Sequence, residues 1–218
     1  MSWDPDHLPD QTGHTIAVTG ATAGIGYFAA EQLAAAGAHV VLVSRSATKL
    51  DRARTTLLQQ VPGAAVSTTV VDLASLASVR EAADELSRLP RLDGIFLNGG
   101  AMSPCRGELT ADGLPVAVGT HVVADVALVA GVLDRLASTG AEQGTVGRIV
   151  HASTGFVRRF ARHRDRRGEP GDRVGAAHRR VLIGATVRPG QLAGQRPAGP
   201  AYREVVLPRS TTEGAHDG

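Results

Sequence analysis

The segment Thr19-Gly20-Ala21-Thr22-Ala23-Gly24-Ile25-Gly26 constrains this chain more than any other. It follows the β-branched run Ile16-Ala17-Val18 and precedes a helix-period stripe of Ile25, Phe28, Ala29, Leu33 and Ala36, closed by Gly37. A strand that turns through glycines into a helix lets a phosphate come close to the main chain. The helix start then offers it unpaired N–H groups and a partial positive charge. Glycine-rich turns also occur without a ligand. Here the turn sits between strand and helix, and a second strand ends about twenty residues later, which favours dinucleotide binding. Gly20, Thr22, Gly24, Ile25 and Gly26 are the expected cofactor contacts of this loop.

Further short apolar runs, Val40–Val43, Val66–Val71, Ile95–Leu97 and Ile149–Val150, read as strands buried on both faces. Between them lie two more helical stripes. One is Leu76, Val79, Ala83, Leu86 and Leu89, with Ser75 as N-cap and Pro90 after its end. The other is Val122, Val126, Val129, Leu133 and Leu136. Strand and helix alternate through five strands, the pattern of a doubly wound α/β parallel sheet of Rossmann type. We divide the chain into a lead-in (1–12), a dinucleotide-binding domain (13–155) and an Arg/Gly/Pro-rich tail (156–218) that leaves the fold incomplete on its C-terminal side.

The second strand ends Val43-Ser44-Arg45-Ser46. An acid there would accept hydrogen bonds from the adenosine ribose and favour NAD. An arginine instead pairs with a 2′-phosphate, so Ser44 and Arg45 point to NADP over NAD.

Charge divides the chain at the same place. Residues 1–155 carry ten basic and fifteen acidic side chains, whereas residues 156–218 carry thirteen arginines against six acids. The whole chain holds one lysine, Lys49, and one cysteine, Cys105, which excludes an internal disulfide and a Cys-based zinc cluster. The eight histidines show no metal-ligand spacing, so no metal is expected. The N-terminus has neither a basic start nor an apolar run, and the uncharged stretch Gly13–Ala30 is broken by glycines, so neither a signal peptide nor a membrane span is expected. A cytoplasmic protein is the corresponding expectation. Few aromatics interleave with the tail arginines, which argues against nucleic acid as a partner.

In combination these features resemble the short-chain dehydrogenase/reductase family. The loop at Thr19, Gly20, Gly24 and Gly26 looks like its TGxxxGxG signature. Asp72-Leu73 is similar to its adenine-contacting Asp, and Leu97-Asn98-Gly99-Gly100 resembles its Asn-Asn-Ala-Gly stretch with two substitutions. Asp112-Gly113-Leu114 and Val118-Gly119-Thr120 look like the approach to the family's long interface helix. Arg148-Ile149-Val150-His151-Ala152-Ser153-Thr154 resembles the strand that delivers its catalytic serine. Trp3 and Pro9-Asp10-Gln11-Thr12-Gly13 look like the lead-in of retinol-dehydrogenase-type members.

The resemblance implies cofactor contacts at Asp72, Leu73, Asn98, Gly99 and Gly100. It implies hydride exchange between the nicotinamide and a carbonyl or secondary alcohol of a small-molecule substrate. It also puts a hydroxyl at Thr154, with Ser153 just before it, and puts His121 where the family has an asparagine that holds a water relay. The family's Tyr-x-x-x-Lys acid–base pair has no counterpart: beyond Thr154 the one tyrosine is Tyr202, with Val206 four residues on and no lysine. His151, His163 and His178 are the ionisable groups near the right place.

Two functions therefore stand side by side. One is an NADP-dependent oxidoreductase. The other is a non-catalytic dinucleotide-binding pseudoenzyme, or a truncated or frame-changed reductase product whose reading frame shifts near Phe160. Within the tail, Val181-Leu182-Ile183 reads as a short strand, and Arg188-Pro189-Gly190 faintly resembles the Pro-Gly after the family's sixth strand. One of the two helices that usually form the family's dimer face is not recognisable, so a homo-oligomer stays open.

Overall fold

A computed structural model describes residues 8–101, 107–154, 180–187 and 203–206, with side chains described through residue 152. Its strands β1 (Thr15–Thr19), β2 (His39–Ser44), β3 (Val66–Val70), β4 (Gly94–Leu97) and β5 (Gly147–Thr154) run parallel. Two further strands, β6 (Arg180–Val187) and β7 (Arg203–Val206), join antiparallel beyond β5. The sheet order is β3-β2-β1-β4-β5-β6-β7. The chain winds outward from β1 through β2 to β3, then returns to β4 on the other side of β1. That reversal opens a crevice beyond the carboxyl ends of β1 and β4, where ligands of such sheets bind. The run Val181-Leu182-Ile183 lies within β6, whereas Arg188-Pro189-Gly190, Tyr202, His163 and His178 lie outside the described residues.

Helices cover the sheet from both sides. On one face α1 (Gly24–Ala35) and α2 (Ala47–Gln60) pack Ala30, Ala34, Leu50, Ala53 and Leu57 against Val18, Val40 and Leu42. On the other, α3 (Leu76–Ser87) and α5 (Ala124–Gln143) pack Val79, Leu86, Leu128, Val132 and Leu136 against Ala17, Val41 and Ile95. Ser46 and Ser75 start α2 and α3 by accepting the backbone N–H three residues on, at 3.4 Å in each case.

Two of the expected stripes meet the core only in part: Leu33 of the first and Val129 and Leu136 of the other pack into or against it, and the rest turn aside. On α1 the buried residues are Gly26, Ala30 and Ala34, while Ile25 and Phe28 are exposed. Small side chains bring this helix close to the sheet, and the larger ones flank the contact. On α5 the buried set is Ala124, Asp125, Leu128, Val132, Leu136, Thr139 and Gly140, while Val126, and Val122 in the turn just before the helix, face outward. A short α4 (Val116–Val118) and a π-helical turn (Gly119–Val123) lead into α5. Together they form one helical run, Val116–Gln143, long and apolar enough by length and composition to cross a bilayer; here its inner face packs on α3.

The amino edge of the sheet is tied by Asp93. Its carboxylate accepts the Thr15 N–H at 2.8 Å and two hydrogen bonds from Arg91 at 2.7 Å. Burial works to raise this carboxyl, but the Arg91 and Thr15 donors outweigh it and hold it below the usual carboxylate range.

Candidate functional site

The glycine loop after β1 has two kinds of glycine. Gly26 faces the carbonyl of Gly20: a Cβ there would lie 2.4 Å from that oxygen. Gly24 has φ +57° and a Cβ on it would meet nothing within 4 Å. The first glycine is required by packing, and the second leaves open space at the start of α1. No side chain caps that helix start, since Ala23 occupies the cap position. The first-turn N–H groups are thus left for a ligand or solvent.

Beyond this loop lies a crevice of about 410 Å³ along the carboxyl edge of the sheet. Of the residues expected to bind cofactor, Gly20, Thr22, Ser44, Arg45, Asp72, Leu73, Gly99 and Gly100 line it. Thr22 Oγ1 and Ser44 Oγ are 3.4 Å apart and join the loop to the end of β2. Asp72 Oδ1 accepts the Ala74 N–H at 2.9 Å, which shapes the turn after β3. Asn98 stands behind the wall, where its Nδ2 donates to the Thr19 carbonyl at 3.4 Å. Gly24, Ile25 and Gly26 sit at the helix start beside the crevice, outside its lining.

Six lining residues were not among those expected from sequence: Ser46, Lys49, Val71, Ala74, Ala101 and Thr120. Lys49, in the first turn of α2, joins Arg45 and Ser46 at the β2 end. Thr120 and Ala101 line the opposite end; the Ala101 N–H donates to Thr120 Oγ1 at 3.2 Å, and that hydroxyl donates to the Val116 carbonyl at 2.8 Å. Lys49 had a signal, being the one lysine of the chain three residues after a capping serine. A second cavity, of about 520 Å³, lies on the sheet face carrying Ile16, Phe96 and Val150 and holds none of the expected site residues.

His121 comes from the π-helical turn, a helical defect often found at functional positions. Its Nε2 is 3.3 Å from the Ala101 carbonyl. The ring lies so close to Gly100 that a Cβ on that glycine would fall 1.9 Å from the imidazole Cε1. Gly100, which matches the glycine of the resembled family stretch, thus leaves room for the His121 ring. Ser153 and Thr154 end β5 next to this region, and their side chains lie outside the described residues.

The structure adds a partner for His151. Its Nε2 is 3.0 Å from Oδ2 of Asp125, a residue of α5 only 4% exposed. Burial pushes the Asp125 carboxyl up to about 6, against the lowering influence of His151 and of His121. No group of three or more His, Cys, Asp or Glu among the described residues has the arrangement of a metal site.

The short chain dehydrogenase family pattern matches residues 14–159. The chain belongs to the short-chain dehydrogenase family. It is 35% identical over 156 residues to short chain dehydrogenase/reductase dpchH of Colletotrichum higginsianum, covering 70% of this chain and 39% of that protein. It is 32% identical over 151 residues to the chloroplastic short-chain dehydrogenase TIC 32 A of Brassica napus, covering 69% and 47%. The chain thus spans less than half the length of these relatives. Among solved structures, a protein from Mycobacterium Paratuberculosis is 33% identical with a TM-score of 0.55, over 63% of this chain and 48% of that one. L-sorbose reductase from Gluconobacter frateurii, complexed with NADPH and L-sorbose, is 27% identical with a TM-score of 0.51, over 61% and 50%. The glycine loop, the crevice and β5 of this short-chain dehydrogenase all fall inside the matched region.

Proposed function

We propose that this protein binds NADP in the crevice at the ends of β1, β2 and β4, and exchanges hydride between that cofactor and a small carbonyl or secondary alcohol. The observation that carries the reading is the pairing of Arg45 with Lys49 at one end of the crevice. Two cations beside Ser44 and Ser46 match a 2′-phosphate, and no acidic side chain of β2 is present to favour the unphosphorylated ribose. The solved L-sorbose reductase with NADPH is consistent with this choice.

In this arrangement the start of α1 and Gly24 would receive the pyrophosphate, and Arg45 and Lys49 the 2′-phosphate. Asp72 and Leu73 would meet the adenine, and Gly99 and Gly100 would floor the path toward β5. The cofactor, when bound, supplies hydride chemistry. The chain's own residues supply position, exclusion of water and a proton. A pseudoenzyme that binds the dinucleotide without turnover is the second reading, favoured by the absence of any Tyr-x-x-x-Lys from the sequence.

A fluorescence titration of the purified chain with NADPH, with NADH as control, tests the first part. Saturable binding selective for NADPH supports the assignment; a folded sample that binds neither overturns it. Turnover of an added aldehyde then separates enzyme from pseudoenzyme.

A further inference from the structure

Reduction of a carbonyl needs a proton as well as a hydride, and the sequence offers no phenol–ammonium pair to give one. The chain has two tyrosines, Tyr27 and Tyr202, and one lysine, Lys49, none of them four residues apart. The described residues do hold another acid–base arrangement.

His151 stands on β5 opposite Leu97 of β4, one residue before Asn98 and the glycines that line the crevice. Alternation along the strand puts His151 on the same face as Ile149, which packs toward α3 and α5. There Nε2 meets Asp125 Oδ2 at 3.0 Å. The carboxylate is buried and the imidazole is not: the side chains are 6% and 33% exposed. Oδ1 of Asp125 is buried without a hydrogen-bond partner among the described residues. Asp125 is thus committed to a single imidazole. His121, one helical turn earlier, adds its electrostatic influence from the crevice side, where its ring rests over Gly100. A buried carboxylate that grips one nitrogen of a half-exposed imidazole fixes its tautomer and leaves the other nitrogen free for proton exchange.

We propose that His151 is the proton donor of this chain's carbonyl reduction, held in its Nε2–H form by the positioning residue Asp125. This rests on the NADP-dependent reading above. As hydride reaches the carbonyl carbon from NADPH, the C=O π pair moves to oxygen. The proton on Nδ1 of the His151 imidazolium goes to that oxygen, giving the alcohol. The ring is left neutral with Nε2–H still on Asp125, and solvent returns the proton. Electrons come from the hydride, and NADP is the oxidised product.

The test uses the full chain with NADPH and 4-nitrobenzaldehyde as probe, and three readouts. Imidazole 15N shifts report the tautomer without any cofactor: His151 is expected as Nε2–H at alkaline pH, and Asp125→Asn should mix the two tautomers. His151→Gln should lower kcat about a hundredfold, with NADPH affinity by fluorescence unchanged. Asp125→Asn should lower kcat less than His151→Gln does, with KM little changed. Turnover that survives His151→Gln, or a His151 engaged through Nδ1, overturns the proposal while leaving the cofactor reading in place. Wild-type binding of NADPH without aldehyde turnover overturns it likewise. Failure to bind NADPH at all overturns the underlying reading, and the proposal with it.

Discussion

The hydroxyl of Thr19 accepts the backbone N–H groups of both Asn98 and Gly99, at 3.0 and 2.8 Å. The last residue of β1 thereby holds the turn after β4, across the two strands whose ends open the crevice. Replacing Thr19 by valine leaves two part-buried or buried N–H donors without their acceptor, and each such loss costs about 1–3 kcal/mol. Thr19→Val should therefore lower unfolding stability in urea and weaken NADPH binding together, whereas Thr19→Ser should keep both.

The cation pair at the far end makes a different prediction. Arg45→Asp should weaken NADPH binding by more than tenfold, an effect of roughly 1.4 kcal/mol or more, and leave NADH nearly unchanged. Lys49→Glu should act in the same direction. Equal losses for the two cofactors in a parallel titration would remove the 2′-phosphate assignment.

Gly24 and Gly26 separate ligand space from packing. Gly24→Val should leave a folded chain, since nothing lies within 4 Å of its Cβ direction and only the positive φ opposes it. It should abolish dinucleotide binding. Gly26→Ala drives a methyl group into the Gly20 carbonyl and should lower the thermal midpoint as well. Circular dichroism melts beside the fluorescence titration distinguish the two.

Asp125 predicts a pH effect on stability. Its carboxyl is pushed up to about 6 in the folded chain from 3.8, mainly by burial. The folded state then binds the proton more tightly, so this group's stabilising contribution is complete below pH 4 and is lost as pH rises through about 6. The loss is on the order of 3 kcal/mol. Urea unfolding of Asp125→Asn against wild type at pH 4 and pH 6.5 should show the difference shift toward the variant as pH rises.

The glycine loop and the strands were legible because β-branched runs and glycines contrast with everything around them. The inner face of α1 was not: Gly26, Ala30 and Ala34 carry little hydropathy signal, and the bulkier Ile25 and Phe28 drew the stripe to the exposed side. Along the helical run Val116–Gln143 the apolar residues go all round, so Val122 and Val126 matched a helical period as well as the buried Leu128 and Val132. The helix α2 carried a readable spacing in Leu50, Ala53 and Leu57 with Ser46 before it, yet threonine and charge diluted the pattern. His151 was visible as an ionisable group, but its partner lies 26 residues away on another element. Only the packing of α5 on β5 brings them together.

Asp93 and Arg91 fasten the sheet at the edge farthest from the crevice, and this separates two kinds of change. Substitutions around Thr15, Asp93 and Arg91 act on whether the strands stay assembled, and those at Arg45 and Lys49 act on what the assembled strands hold. A chain arranged in this way can drift or be redesigned at one rim while the other is kept constant, so tolerance to mutation and change of specificity are governed from opposite ends of the same strands.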